Sequence, residues 1–416
     1  MKNIVIIGGG TAGWLTALMV NKFWNDSNVT VIESSKIGIL GAGEGGTSNF
    51  GKILSILEIN QKDFFEKTGS SLKNALQLIN WNGDGRVVLH PFTGEQSSQL
   101  SLIKTYAYHF DAKLVSKYFK EIALKRGVNW IDGEITKINN TNETINTLEL
   151  LDGKIINLDF VFDCSGFARL ITGGIHNEEW IDYSEYLLAN KAFGFFLPQT
   201  NIITDKTITQ TKVEAMNAGW MFEIPLQHRL GCGYVFNDKY ISVEDAKLEI
   251  QERLGTEIQI QKIFDFKPGT YKRSWIGNSI SIGLSYSFIE PLEATALMTT
   301  IMQLKRLSDV GFDESYRDRF NIWCNEINEQ NMLFIRYHYL SEKDDTKFWR
   351  DVQSMPIPTK LKSILNENGS IIPQNNLELL KTLNLSETSV NELTFLVSNY
   401  NTIFRKNKKI KQKELI

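Results

Sequence analysis

Six residues near the amino terminus have the types and spacing that hold a phosphate-linked ligand. Gly8-Gly9-Gly10-Thr11-Ala12-Gly13 follows a β-branched run at 3–7 and opens a stretch of helical spacing at 11–23. Glu33 then ends the next apolar run, 29–33. Gly8 permits a tight turn, Gly10 lets backbone approach a pyrophosphate at a helix N-terminus, Gly13 lets that helix pack close to the strand, and Glu33 accepts both ribose hydroxyls. The acid favours an unphosphorylated ribose, hence FAD or NAD. A second run of similar form, Gly41-Ala42-Gly43-Glu44-Gly45-Gly46, has only Ile39-Leu40 ahead of it and no following strand that ends in an acid. It reads as a loop where backbone passes close to a flat ligand rather than as a nucleotide site. With no second nucleotide fold for NAD(P)H, FAD is the better reading.

These residues need a βαβ unit, which 2–33 supplies. Beyond it, 34–50 is glycine-rich and irregular, 50–57 and 61–78 have helical spacing, 81–105 is a connector, and 108–126 is helical again. Short strands follow from 128 to 166, with a two-residue hairpin turn expected at Asp152-Gly153 and a buried strand at 160–163. A second sheet is expected over 171–236 and 258–283, interrupted by a helix at 243–253. From Glu290 onward the chain reads as largely helical, with a helix start at Glu290-Pro291. The end, 405–413, has six basic residues in nine and reads as a solvated tail.

Composition narrows the function classes. The chain has 416 residues, 42% hydrophobic and 22% charged, with a net charge of -3. That is globular composition with no pull toward nucleic acid. Three scattered cysteines, Cys164, Cys232 and Cys324, form neither a disulfide framework nor a metal motif, so no metal site is expected and a reducing cytoplasm is. The glycines at 8–10 break the first apolar run before it could serve as a signal sequence, and no stretch reaches the length of a membrane span, so a soluble protein with no membrane partner is expected.

Several separated stretches then resemble the flavin-dependent tryptophan halogenase family, within the wider class of flavin monooxygenase folds. They are GGGTAGW (8–14), GAGEGGT (41–47), SSLKNALQLINW (70–81), YAYHFDAKLV (106–115), FDCSGF (162–167), GWMFEIPL (219–226), SWIGNSISIGLSYSFIEPLEATAL (274–297) and DDTKFWR (344–350). The resemblance implies an α/β chain: an FAD-binding Rossmann-like domain of flavin monooxygenase type, a second β-rich substrate domain and a helical C-terminal region. It divides the chain into FAD-binding parts at 1–80, 106–170 and 271–310, a short connector at 81–105, a substrate sheet at 171–270 and helices at 311–416. It also implies chemistry. A separate flavin reductase supplies FADH2, oxygen makes a flavin C4a-hydroperoxide, a halide ion (chloride, bromide or iodide) attacks it, and hypohalous acid passes through a tunnel to a small aromatic substrate. Lys73 matches the lysine that activates this reagent, and Glu293 the carboxylate that holds it and stabilises or deprotonates the cationic ring. Thr295 and Ala296 match the halide-binding backbone pair, with alanine where the family has glycine. Gly9, Ala12, Glu33 and Ser34 would touch the nucleotide and Ile135 the adenine. Ala42, Gly45, Leu284 and Leu297 would line the isoalloxazine, under a strap formed by 36–47.

Two departures stand out. The family's Trp-x-Trp-x-Ile-Pro is Trp220-Met221-Phe222-Glu223-Ile224-Pro225 here, so the block that shields substrate from the flavin loses one indole N–H. Between Trp81 and Tyr106 lie only 24 residues, where tryptophan halogenases carry a long insertion. Free tryptophan is therefore disfavoured and a more open pocket for larger electron-rich aromatics is expected, as in compact, phage-borne members, unless segments beyond residue 350 fold over the same space. An aromatic hydroxylase using FAD, or a flavin-binding redox module without turnover, are the competing readings, and homo-oligomer formation is left open.

Overall fold

The computed structural model describes residues 1–24, 26–38, 44–91, 106–204, 206–311, 313–395 and 397–404. Ala42, the middle of the expected strap, most of the expected connector and the basic tail lie outside the described residues.

The first sheet has six strands. Lys2–Ile7 lies at its centre, parallel to Ser27–Glu33 on one side and to Phe160–Asp163 on the other. Its apolar run is buried on both faces, as a parallel sheet covered on both sides requires. Helix Thr11–Phe23 makes the crossover, and Trp14, Leu15, Leu18, Met19 and Val20 bury its inner side. Ser279–Ser281 adds a parallel strand beyond Phe160–Asp163. The expected second sheet therefore ends earlier: of 258–283, Ile260–Asp265 joins the larger sheet and Ser279–Ser281 belongs to the first. The turn around Asp152-Gly153 is one residue longer than expected, with Leu150 pairing to Lys154 and Gly153 at φ +82°.

The second sheet has nine strands, and two of them correct the sequence reading. Helix Gln61–Thr68 stops at Gly69, which takes the left-handed conformation at φ 64°, and Ser71–Ile79 is a strand. The apolar residues of this segment fit helical and strand periods alike. Pairing decides: Ser71–Ile79 runs parallel to Ile208–Met216 and antiparallel to Ala107–Phe110, so neighbours far away in sequence hold it extended. Likewise 107–110 is strand, and the next helix, Ala112–Lys125, begins only after Asp111, whose carboxylate accepts from the Lys113 and Leu114 N–H groups. Ser71–Ile79, inside the expected first FAD-binding part, is thus a central strand of the sheet expected to handle substrate.

Helices from Arg317–His338 onward close over one face of this larger sheet. Trp349 Nε1 donates to the Met216 carbonyl at 2.7 Å and Trp81 Nε1 to that of Val213 at 3.1 Å. One apolar cluster runs from Leu76 and Trp220 through Phe334 to Phe395 and Tyr400.

Candidate active site

A cavity of 1090 Å3 opens where Lys2–Ile7 meets its helix, at the C-terminal edge of the parallel strands. Gly8, Gly9, Gly10, Ala12, Glu33 and Ser34 line it, as do Ile135, Leu284 and Leu297. The glycines divide the work as expected. A Cβ on Gly8, which sits at φ +107°, would lie 2.3 Å from the Cys164 carbonyl oxygen, and one on Gly13 would lie 1.9 Å from that of Gly8. Both are close approaches of backbone to backbone. Nothing lies within 4 Å of a Cβ on Gly10, which faces open cavity beside the uncapped N-terminus of Thr11–Phe23. That cradle, open at one glycine and tight at two, fits a pyrophosphate. Glu33 is more engaged than its sequence position suggested. Its Oε2 accepts from Trp14 Nε1 at 3.3 Å, while Oε1 meets the Lys120 ammonium, which lies 3.5 Å over the Trp130 ring. A ribose would share the carboxylate with these donors. The opposite wall was not anticipated: Lys262, Ile263, Phe264 and Asp265 of the edge strand Ile260–Asp265 line the same cavity.

Lys73 and Glu293 come together in the interior. Lys73 is 2% exposed, on a strand where the spacing suggested a helix. Burial pulls its ammonium down to about 8, with the charge of Glu293 opposing the shift. Gly45 packs here rather than on the cavity wall: a Cβ on it would lie 3.1 Å from Lys73 Nζ and 3.9 Å from the Ala294 Cβ. His109 pairs across from Gly45 and hydrogen-bonds Thr209 and Thr211. Burial and the Lys73 charge hold its ring well below the usual histidine range, so no second cation crowds the lysine.

The helix expected to start at Glu290-Pro291 starts later. Glu293 and Ala294 both adopt left-handed backbone, φ 64° and 58°, and the helix proper begins at Thr295. Two consecutive non-glycine residues there cost about 1–2 kcal/mol each. The kink has a geometric effect. It turns the Glu293 carboxylate into a buried group with His90 and His338, while Ala296 and Leu297, in the first turn of Thr295–Val310, line the flavin-sized cavity. First-turn N–H groups lack intrahelical partners, so this end offers donors to an anion at the cavity wall. Burial alone would raise the Glu293 carboxyl, but the two histidines outweigh it and hold the group well below the usual carboxylate range.

Known proteins agree with this architecture. The family model described as tryptophan halogenase matches residues 3–106 and 94–410. The chain belongs to the tryptophan halogenase family. It is 27% identical to Tryptophan 6-halogenase ThaL of Streptomyces albogriseolus over 444 residues, which cover 90% of this chain and 83% of that protein. It is also 27% identical to Tryptophan 7-halogenase RebH of Lentzea aerocolonigenes, over 84% of this chain and 78% of that one. Its fold matches the structure of Tar14, a tryptophan C-6 flavin-dependent halogenase from taromycin biosynthesis, with a TM-score of 0.87 at 23% identity, covering 100% of this chain and 94% of that one.

Two expected residues remain to be placed in this member of the family. Trp220 and Phe222 share a face of strand Gly219–Pro225, and the Phe222 ring lies across Gly233, where a Cβ would be 2.4 Å away. Trp220 Nε1 donates to Glu290 Oε1 at 2.7 Å, and the Tyr339 hydroxyl donates to the same oxygen at 2.5 Å. Glu290 Oε2 is buried without a hydrogen-bond partner among the described residues, and burial pushes this carboxyl up to about 7. Glu293 itself is enclosed by described residues from the C-terminal helices. Phe395 stacks on Phe334 at 3.8 Å between centroids, and Asn399 of the last helix, Val397–Phe404, reaches His90. Segments beyond residue 350 thus pack beside His90 and Phe334, while 92–105 of the connector lie outside the described residues. The sequence reading gives His90, His338 and Tyr339 no role, and Glu290 only that of a helix start. Only the fold brings them together.

Proposed function

We propose that this chain is an FADH2-dependent halogenase that places halogen on an electron-rich aromatic ring, with Lys73 and Glu293 as catalytic residues. The observation that carries the reading is that Lys73 and Glu293 are both buried and close enough for the Glu293 charge to act on the lysine, while Ala296 and Leu297, just after Glu293, line the nucleotide cavity. Bound reduced flavin, with oxygen and halide, supplies an oxidised halogen; FAD is held at Gly10, Glu33, Ser34, Ile135, Leu284 and Leu297, and halide at the Thr295 and Ala296 N–H groups. Ala296 keeps the N–H of the family's glycine in ordinary helical backbone.

Lys73 donates a hydrogen bond to hypohalous acid and aims its halogen. Its ammonium is the dominant form at neutral pH, in a site dry enough for one donor to count strongly. Glu293 faces the positive charge that develops on the ring. A carboxylate held well below its usual range is a weak base and a strong fixed anion, so stabilisation of the cation is its larger contribution. Trp220 and Phe222 bar the organic substrate from the flavin. The short 82–105 segment supports a preference for aromatics other than free tryptophan. A separate flavin reductase is the partner that delivers FADH2.

The test is incubation with FAD, a flavin reductase, NADH and bromide against a panel of phenols, indoles and free tryptophan, read by mass spectrometry. A product with the bromine isotope doublet, absent with Lys73→Ala, supports the reading. Oxygenated products without bromine would make the protein a hydroxylase instead.

A further inference from the structure

Three buried side chains from distant parts of the chain meet at one oxygen atom. Glu293 Oε1 lies 2.7 Å from His90 Nδ1 and 2.9 Å from His338 Nε2. All three residues are at most 2% exposed. No other group of three histidine, cysteine or acidic side chains gathers this closely among the described residues. Two nitrogens that approach one oxygen at hydrogen-bond distance make an arrangement for protons, and the protons can be counted.

His338 Nδ1 lies 2.8 Å from the Phe334 carbonyl, one turn earlier in helix Arg317–His338. A carbonyl only accepts, so Nδ1 carries a hydrogen. In a neutral ring Nε2 is then bare, and it would face a carboxylate oxygen that also only accepts. Two acceptors at 2.9 Å in a site without solvent repel, and one added proton turns that repulsion into a charge-assisted hydrogen bond. The His90 side is self-consistent. Asn399 Nδ2 lies 3.1 Å from His90 Nε2 and donates to it, which leaves the ring hydrogen on Nδ1, directed at Glu293. Whichever way the Asn399 amide is turned, the requirement at His338 stands.

We infer that one proton is shared between His338 Nε2 and Glu293 Oε1, and that His338 is the positioning residue that fixes this carboxylate and balances its charge. The cluster of Glu293, His90 and His338 is neutral as a whole. Oε1 is fully committed, and Oε2 is the oxygen left for Lys73 or a reacting ring. The surroundings are consistent with this charge count. Lys73 reaches in from strand Ser71–Ile79 and His90 from strand Val87–Pro91, while Glu290, in the preceding turn, is tied to Tyr339 and Trp220. Arg336, on the same helix as His338, donates through Nη2 to the Val352 and Met355 carbonyls, and the last helix contributes the uncharged Asn399.

The functional consequence rests on the role given to Glu293 above; the proton count does not, and two measurements separate them. The chain has five histidines, so 15N-histidine labelling gives an assignable spectrum, with His90→Gln and His338→Gln identifying their own signals. At neutral pH, both ring nitrogens of His338 should read as protonated or proton-sharing, with the Nε2 proton far downfield. A bare Nε2 signal would overturn the inference whatever the enzyme does. In turnover, His338→Gln keeps a donor beside Glu293 but removes the extra proton. It should lower the rate on a weakly activated ring by about 10- to 100-fold at neutral pH, the range a hydrogen bond to a charged group is worth. It should also add a limb in which the rate climbs with pH as Glu293 loses a proton it now retains. FAD affinity should stay unchanged. A profile lowered evenly at every pH would mean that His338 only supports the fold.

Discussion

Replacing Lys73 by methionine should separate stability from activity. The side chain is 2% exposed on a central strand, and its ammonium titrates at about 8 instead of its ordinary 10.5. The folded state therefore binds this proton more weakly than the unfolded chain does. At pH 7 the lysine is charged in both states, and folding bears the full penalty, about 3 kcal/mol at ~1.4 kcal/mol per pKa unit. Between about 8 and 10.5 the folded lysine has lost its proton while the unfolded one retains it, so stability rises with pH through that window and the penalty fades. The attraction of Glu293 is already contained in the shift. Methionine matches the chain's length and flexibility without a charge to desolvate. Lys73→Met should thus be more stable than the parent by about 3 kcal/mol at pH 7 and by less than ~1 kcal/mol at pH 10. Its halogenation should be abolished, the usual conflict between a buried functional charge and stability. Urea denaturation of FAD-free protein at the two pH values, followed by tryptophan fluorescence, reads the first claim. Parent turnover should likewise fall as pH rises through about 8, because the neutral amine is a weaker donor to hypohalous acid. A variant less stable than the parent at pH 7, or an advantage that persists undiminished at pH 10, would refute the burial argument.

The other predictions concern the carboxylate and the glycines. Glu293→Gln should lose little on strongly activated phenols and about 10²- to 10⁴-fold on weakly activated rings, with more methionine sulfoxide formed during turnover; an equal loss on every substrate, together with lost FAD binding, would make Glu293 structural. Gly45→Ala has no positive φ to strain, but its Cβ would press on Lys73 Nζ at 3.1 Å, so halogenation should drop roughly tenfold with FAD affinity unchanged. Gly10→Ala should fold normally and bind FAD more weakly. Gly13→Ala should cost ~3 kcal/mol in stability, since its Cβ would meet the Gly8 carbonyl at 1.9 Å; similar melting of the two variants would remove the assigned division of labour.

The nucleotide cradle was legible because its requirements are local. A strand, a turn with glycines where a Cβ would strike backbone, a helix and an acid at the end of the next strand lie within residues 2–33, and each is set by near neighbours. The buried strand at 160–163, the helix at 243 and the helical C-terminal region were legible for the same reason, as strong periodicity over a short span. The Lys73 segment was not. Its apolar spacing fits helix and strand alike, and pairing with Ile208–Met216, more than 130 residues away, resolved the ambiguity. That pairing also buries Lys73, which is what lowers its proton affinity.

The amino-acid sequence by itself determined the family, the candidate residues for the proposed reaction and the glycine positions of the cradle. Only the tertiary structure decided the state in which those residues work. His90 lies 203 residues before Glu293 and His338 lies 45 after it, so no local pattern registers their meeting at one oxygen. The backbone kink that aims Glu293 away from the cavity runs against alanine and glutamate preference, and packing on both sides sustains it. The packing beside the Glu293 cluster was also beyond local reading, because Phe395 and Asn399 reach it from the opposite end of the chain. Charge state, exposure and enclosure depend on what packs around a group, and those neighbours are set by the fold rather than by the adjacent sequence.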